Sequence, residues 1–273
     1  HSIINNLKII YKLRKILKEN QESQILSFIY TTNILTIIAN FGLKNHLIIS
    51  ERNDPEFQTI SNIWSLLRNI FYRFADKVTA NSQKACRTIR KYVPSKKVIF
   101  IPNHIFFKKK RLTSKKKKII LGVGRLHPQK GFDILIESFY LSKVYHKGWK
   151  LVILGEGLQE KFLKQKVKEL KLHNNVLFKG FQNTLNWYKK SKIFIMSSRF
   201  EGTPNVLLEA MATGVPSIIT NSCPGAMYYV KHGISGLIVP SENVLALSKS
   251  IAMIVNNKAL QKKIIQGGFK SLK

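Results

Sequence analysis

Aspartate is nearly missing from this chain: Asp54, Asp76 and Asp133 are scattered singly through 273 residues. A cation site built on neighbouring aspartates is therefore excluded, and the chain is expected to work without a metal. Cysteine is scarce too. Cys86 and Cys223 lie far apart, make no metal or redox spacing, and suit a reducing cytoplasm as unpaired thiols. There is no initiating Met and no signal peptide, and the opening "HSIINNLKIIYKLRKILKEN" reads as that of a fragment. Acid is scarce altogether, with 14 Asp plus Glu against 46 Lys plus Arg and a net charge of +32. Such an excess suits nucleic acid, an anionic membrane surface or phosphorylated ligands. The basic residues are spread along the chain without a nucleic-acid motif, so no nucleic-acid partner is expected.

What is present is globular: 44% of residues are apolar and 10% aromatic. Ser23 to Leu43 carries no charge and is long enough to cross a bilayer. Thr31, Thr32 and Asn33 interrupt its middle, so a strand over 24–30, a polar turn and a helix over 33–40 are expected instead. Short apolar runs then alternate with amphipathic segments, the signature of parallel strands joined by helical crossovers. The strands are "HLIIS", "KVTANS" and "KVIFIPN" in the first part. In the second they are "KIILGVG", "KLVILGEG", "NVLFKG", "KIFIMSS", "PSIIT" and "GLIVP". The second set makes a complete doubly wound sheet. The first looks like the latter part of a similar domain. The acid-poor stretch 104–118 is the linker, which gives an N-terminal domain over 1–103 and a C-terminal one over 119–273. The stretch 63–74, "IWSLLRNIFYRF", reads as a core stripe or, with Arg68 and Arg73, as a lipid-docking one.

In open parallel sheets, ligands bind beyond the carboxyl ends of the strands. "GVGRLHPQKG", residues 122–131, sits at one such end, where glycines such as Gly124 permit a tight turn and Arg125 and Lys130 suit a diphosphate. It lacks the spacing of a P-loop. "SSRFEGTPNVLLEAMATGVPSIIT", residues 197–220, places Glu201 in a loop and Glu209 inside the helix that follows. Thr203 is the expected N-cap, Pro204 the first helical residue and Gly214 the stop. At about 1.5 Å per residue the carboxylates stand roughly 10 Å apart, too far to share a proton or to form a double-displacement pair. They suit hydroxyl-bearing sugars on either side of an anion held at the helix N-terminus.

These stretches, with "LVILGEG", "NVLFKGF" and "VKHGISGLIVP" in that order, resemble the nucleotide-sugar domain of family-4, group 1, retaining glycosyltransferases of the GT-B fold. The resemblance is close over 118–255 and looser over 24–103, where "SERNDP" is most like members that extend lipid-linked or envelope glycans. It implies an α/β fold of two Rossmann-like domains facing a cleft, the first incomplete. It implies transfer of a hexose or N-acetylhexosamine from a nucleotide sugar, a UDP-sugar above all, to a glycan or polyprenyl-diphosphate-linked saccharide. The donor is then a substrate and no cofactor is implied. The enzyme would be cytoplasmic or peripheral on the inner face of the membrane. By position, Arg125 and Lys130 neutralise the donor diphosphate, Glu209 accepts the ribose hydroxyls and Glu201 the donor-sugar hydroxyls. Gly202, Asn205, Val206 and Leu207 offer main-chain N–H groups, and the base lies near Gly180.

The chain departs from the family at three places. The first domain's glycine-rich loop has no counterpart, "SFIYTT" stands where many members carry His, and Tyr228 and Tyr229 replace an acidic residue. Glu51, Arg52 and Asn53 lie at a first-domain strand end, open to an acceptor-side role or to a structural salt bridge. The other readings are a nucleotide-sugar epimerase or phosphorylase of the same fold, and a non-catalytic nucleotide-sugar-binding fragment.

Overall fold

The computed structural model describes residues 3–52, 55–56, 60–103 and 116–272. The chain divides into two compact units, His1–Asn103 and His104–Lys273. Most of the expected linker, residues 104–115, lies outside the described residues.

The first unit runs α1 (Ile3–Glu19), β1 (Gln24–Phe28), α2 (Tyr30–Asn40), β2 (His46–Glu51), α3 (Asn62–Phe71), β3 (Lys77–Ala80), α4 (Gln83–Ile89) and β4 (Val98–Phe100). Its strands form one parallel sheet in the order β1-β2-β3-β4. Leu47, Ile49 and Val78 of the sheet pack with Ile34, Ile37, Tyr72 and Ile89 in one buried core. The polar turn expected at Thr31–Asn33 is instead the first turn of α2. The chain reverses at Ile29, which adopts φ +72°, a costly conformation for a β-branched residue. Asn33 is drawn inward because its amide has partners there: Nδ2 donates to Ser50 O at 3.3 Å and to Tyr72 Oη at 3.1 Å.

Helix α3 divides its face. Trp64, Leu67 and Phe71 pack against the core, while Ile63, Leu66 and Ile70 stay exposed at 71%, 60% and 42%. Core packing thus claims one side of this stripe and leaves the other open, and Arg68 does not lie on the open side. Arg68 is buried, with Nη2 donating to Pro55 O at 3.4 Å.

The second unit runs β5 (Ile119–Val123), α5 (Phe132–Ser142), β6 (Lys150–Leu154), α6 (Glu160–Glu169), β7 (Val176–Phe178), α7 (Thr184–Lys190), β8 (Ile193–Met196), α8 (Asn205–Ala212), β9 (Ser217–Thr220), β10 (Leu237–Val239), α9 (Val244–Asn256) and α10 (Lys258–Ser271). Every pairing is parallel, in the order β10-β9-β8-β5-β6-β7. Side chains alternate faces along a strand. Ile120 therefore joins Phe132, Leu135 and Phe139 on one face, and Leu121 joins Phe194, Leu207 and Met211 on the other. With both faces covered, the strands read as unbroken apolar runs. The strand order reverses between β5 and β8, which puts the crevice at the loops that follow them. Among the described residues no helix is long and apolar enough to cross a membrane.

Candidate functional site

The loops after β5 and β8 meet at that reversal. After β5 the chain turns through a short 3₁₀ segment, Pro128–Lys130, in which His127 Nδ1 accepts the Gln129 N–H at 3.3 Å. Gly131 then adopts φ +62°, and a Cβ there would overlap the Ser197 carbonyl. Only glycine allows this approach of the two loops. Their closeness brings the Lys130 ammonium onto Glu201 Oε1 as an ion pair, with 16% and 11% of the side chains exposed. Ser198 Oγ donates to the same oxygen at 3.3 Å. The cation and the carboxylate expected to serve diphosphate and sugar are thus each other's partners in the free protein.

Helix α8 begins one residue later than expected. Pro204 is the N-cap, with φ −76° and ψ 118°, and Asn205 the first helical residue. Thr203 packs its hydroxyl against Gly225, where no Cβ would fit. The helix ends as expected on Gly214 (φ +68°), with the Gly214 N–H donating to Met211 O at 3.1 Å and the Val215 N–H to Ala210 O at 2.9 Å. The N-terminal N–H groups are not all free. The Leu207 N–H donates to Pro204 O at 3.2 Å in the free protein. Among the described residues, the N–H groups of Gly202 and Val206 meet no acceptor.

Leu207, Leu208 and Met211 face the core, which turns Glu209 the other way, toward α7. There Glu209 Oε2 accepts from Thr184 Oγ1 at 3.1 Å and lies 3.2 Å from Tyr188 Oη. Burial, and then the Glu209 charge, push the Tyr188 hydroxyl well above its usual range, so it stays protonated and can only orient the carboxylate. A cavity of about 330 Å³ opens beside this pair, lined by Val123, Gly124, Arg125, Gly155, Phe181 and Thr184 among others. Arg125 is exposed and, among the described residues, makes no ion pair. Gly155 (φ +127°) has its N–H on Gly180 O at 2.8 Å, and a Cβ on it would strike Gly124 O. Gly124 and Arg125 line the cavity themselves, whereas Gly180 and Glu209 reach it through their hydrogen bonds to the lining residues Gly155 and Thr184.

A sequence profile of the glycosyl transferases group 1 matches residues 103–271, most of the chain. The chain belongs to the group 1 glycosyl transferases. It is 30% identical, over 97% of its length and 74% of the relative's, to a Campylobacter jejuni GalNAc-alpha-(1->4)-GalNAc-alpha-(1->3)-diNAcBac-PP-undecaprenol alpha-1,4-N-acetyl-D-galactosaminyltransferase. A second C. jejuni relative, an N-acetylgalactosamine-N,N'-diacetylbacillosaminyl-diphospho-undecaprenol 4-alpha-N-acetylgalactosaminyltransferase, is 31% identical over 86% of this chain and 67% of its own. Among solved structures, Anabaena HepE in complex with UDP-glucose superposes with a TM-score of 0.80, covering 95% of this chain and 75% of that one at 20% identity. The pneumococcal O-GlcNAc transferase GtfA in complex with UDP and GlcNAc gives a TM-score of 0.81, covering 95% of this chain and 56% of that one at 15% identity. The shared fold is the α/β GT-B one of such glycosyltransferases.

In this group 1 glycosyl transferase, several residues that build the site were not legible as a motif. Thr184, Tyr188 and Arg199 belong to it only through the tertiary contacts of Glu209 and of the β5 loop. Cys223 lies under Glu201, but burial and then that carboxylate push its thiol up to about 12, which leaves it neutral and no nucleophile. Among the described residues no three His, Cys, Asp or Glu side chains gather as a metal-ligand set. In the first unit, Glu51 is not in the salt bridge considered for it. It is buried and accepts from the Tyr72 hydroxyl. Its neighbour Arg52 points the other way, with Nη1 on Asn103 Oδ1 at 3.2 Å and its guanidinium 5.0 Å from the Phe28 ring centre. Asn53 lies outside the described residues.

Proposed function

We propose that this chain is the donor-binding and part of the acceptor-binding portion of a retaining, metal-independent glycosyltransferase. It moves a hexose or N-acetylhexosamine from a UDP-sugar to a lipid-linked saccharide. The observation that carries the reading is the Lys130–Glu201 pair at the strand-order reversal, with Arg125 lining the cavity and Glu209 bonded to Thr184 of the same lining. In this reading the diphosphate bridges Arg125 and Lys130, the ribose hydroxyls donate to Glu209, and the sugar hydroxyls donate to Glu201. The C1–O bond to the phosphate breaks with its electron pair on the departing oxygen, and the acceptor oxygen bonds C1 on the same face and passes its proton to that departing phosphate oxygen. Stabilising charge on the departing diphosphate is the main catalytic task, and fixed cations perform it without reorganisation. The UDP of HepE and GtfA supports the nucleotide, and the undecaprenol-linked acceptors named for the C. jejuni relatives support the lipid.

Thermal denaturation with UDP-, GDP- and ADP-sugars in EDTA tests this. A ligand that binds only the folded state at a hundred times its Kd stabilises by about 2.7 kcal/mol. The expected result is a rise in Tm with UDP-sugars that survives chelation. A rise that EDTA abolishes sinks the metal-independent reading. Conversion of the donor without any acceptor points to an epimerase.

The outward stripe of α3 gives the proposed enzyme a peripheral seat on the cytoplasmic face of a membrane. Ile63, Leu66 and Ile70 would enter the interface, with Arg73, bonded back to Asn69 O of α3, close by in a chain of net +32. The protein is expected to sediment with phosphatidylglycerol vesicles at low ionic strength. It should be released by about 0.5 M salt, where screening is nearly complete beyond 5 Å or so, and by Leu66→Glu. Sedimentation indifferent to both would rule the seat out.

A further inference from the structure

Arg199 is the residue whose contacts the donor site leaves unexplained. It stands in the loop after β8, two residues before Glu201, with 27% of its side chain exposed. Its main-chain N–H donates to Gln129 O at 2.8 Å. Its guanidinium forks onto Asp133, Nη1 to Oδ1 at 3.0 Å and Nη2 to Oδ2 at 2.7 Å. Nη1 also donates to Pro128 O at 2.6 Å, and Nε donates to Glu242 Oε1 at 2.9 Å. One side chain thereby ties together the loops that follow β5, β8 and β10.

The ties converge on the turn that carries Lys130. Pro128 opens that turn and Asp133 lies in the first turn of α5 just beyond it. Gln129 Nε2 returns a bond to Phe200 O at 3.0 Å, and Ser197 Oγ donates to Lys130 O at 3.0 Å. Burial would raise the Asp133 carboxyl, but the Arg199 fork more than offsets it and holds the group below the usual carboxylate range. Glu242 holds its carboxylate on Arg199 from a left-handed backbone, φ +57°, which a glutamate adopts only at a cost. A lysine could supply the charge but not the planar fork.

We infer that Arg199 is a positioning residue that sets Lys130 against Glu201 before the nucleotide arrives. It works through the Pro128–Lys130 turn and does not itself touch the ligand. This rests on the proposed nucleotide-sugar reading, because the effect is transmitted to a diphosphate by Lys130. A preset cation needs no rearrangement on binding, whereas a loosened turn populates the competent geometry only part of the time and weakens apparent affinity by that fraction.

The test is UDP titration of the wild type, R199M, R199K, K130A and R199M/K130A, joined to amide hydrogen exchange on the free proteins. Groups that share one network couple by an amount equivalent to about tenfold in affinity. R199M is expected to weaken UDP about tenfold, and R199K nearly as much. In the K130A background R199M should cost nothing further. The Lys130 and Gly131 amides, bonded to His127 O at 2.9 Å and Pro128 O at 3.2 Å, should exchange about tenfold faster in both Arg199 variants. UDP affinity unchanged in R199K, full multiplication of the R199M and K130A losses, or unaltered exchange at those amides would each overturn the inference. R199K carries the test where R199M does not fold. A wild type that ignores UDP refutes the nucleotide reading alone, since the exchange measurement still judges the clamp.

Discussion

Lys130→Ala is expected to lower transfer from a UDP-sugar by about a hundredfold to a thousandfold, the loss seen when one preorganised group facing developing negative charge is removed. Three features make this the most damaging single truncation in the donor site. Lys130 is largely buried, so solvent does not screen its charge as it does that of exposed Arg125. Its stem is packed over Gly124, close enough that a Cβ there would lie 3.1 Å from Cδ and Cε, so the ammonium has little freedom to lose on binding. Its removal also leaves Glu201, 11% exposed, beside the incoming diphosphate with no counter-charge. An unpaired buried carboxylate repels the anion and destabilises the fold. The variant should therefore lose both the Tm rise with UDP and the turnover, and melt lower than the wild type without ligand. Arg125→Ala should lose less turnover and leave the ligand-free Tm unchanged. Radiolabelled sugar transfer and thermal denaturation measure the two effects. Full turnover in Lys130→Ala would remove Lys130 from the mechanism and with it the present account of leaving-group stabilisation.

The contrast between these two cations shows what the chain discloses before it folds. Both were legible as diphosphate ligands from "GVGRLHPQKG", because glycine, arginine and lysine at a strand end carry that meaning locally. Most strands were legible for the same reason: a strand buried on both faces must be a short apolar run, whereas β1 was read from its apolar run although Leu26 and Phe28 stay exposed. What stayed hidden depends on distant partners. Nothing near Lys130 announces that a carboxylate 71 positions on will neutralise it. Nothing near Glu209 announces Thr184 and Tyr188, which lie on the preceding helix. The N-cap of α8 was misplaced because Thr203 has the right side chain for capping, yet packing against Gly225 claims its hydroxyl region. The turn at Thr31–Asn33 was misplaced because polar residues mark turns only where water is their partner, and Asn33 finds the Tyr72 hydroxyl and a strand carbonyl instead.

That buried cluster around Asn33 yields the second large effect, one on stability instead of catalysis. Glu51 closes β2 with its carboxyl fully enclosed, against the Tyr72 hydroxyl, with Arg68 as the nearby charge. Burial outweighs both the hydrogen bond and the guanidinium, and raises its pKa from 4.5 to about 7. An unfolded chain would ionise the same group near 4.5. Below that pH both states hold the proton and folding is indifferent to it. Between about 4.5 and 7 the unfolded state has released the proton while the native state still holds it, so stability falls as pH rises. Above about 7 both states are ionised and the penalty levels off, at roughly 3 kcal/mol for a shift of this size. Glu51→Gln keeps the shape and an acceptor for Tyr72 but has no proton to lose. Its Tm relative to the wild type should therefore climb steadily from pH 4.5 to 7 and then stay constant. Subtracting the two profiles cancels the histidines and every other group that titrates in both proteins. A difference that is flat across this range would mean that Glu51 is ionised in the native state. The desolvation that dominates its environment would then have to be met by a cation in addition to Arg68.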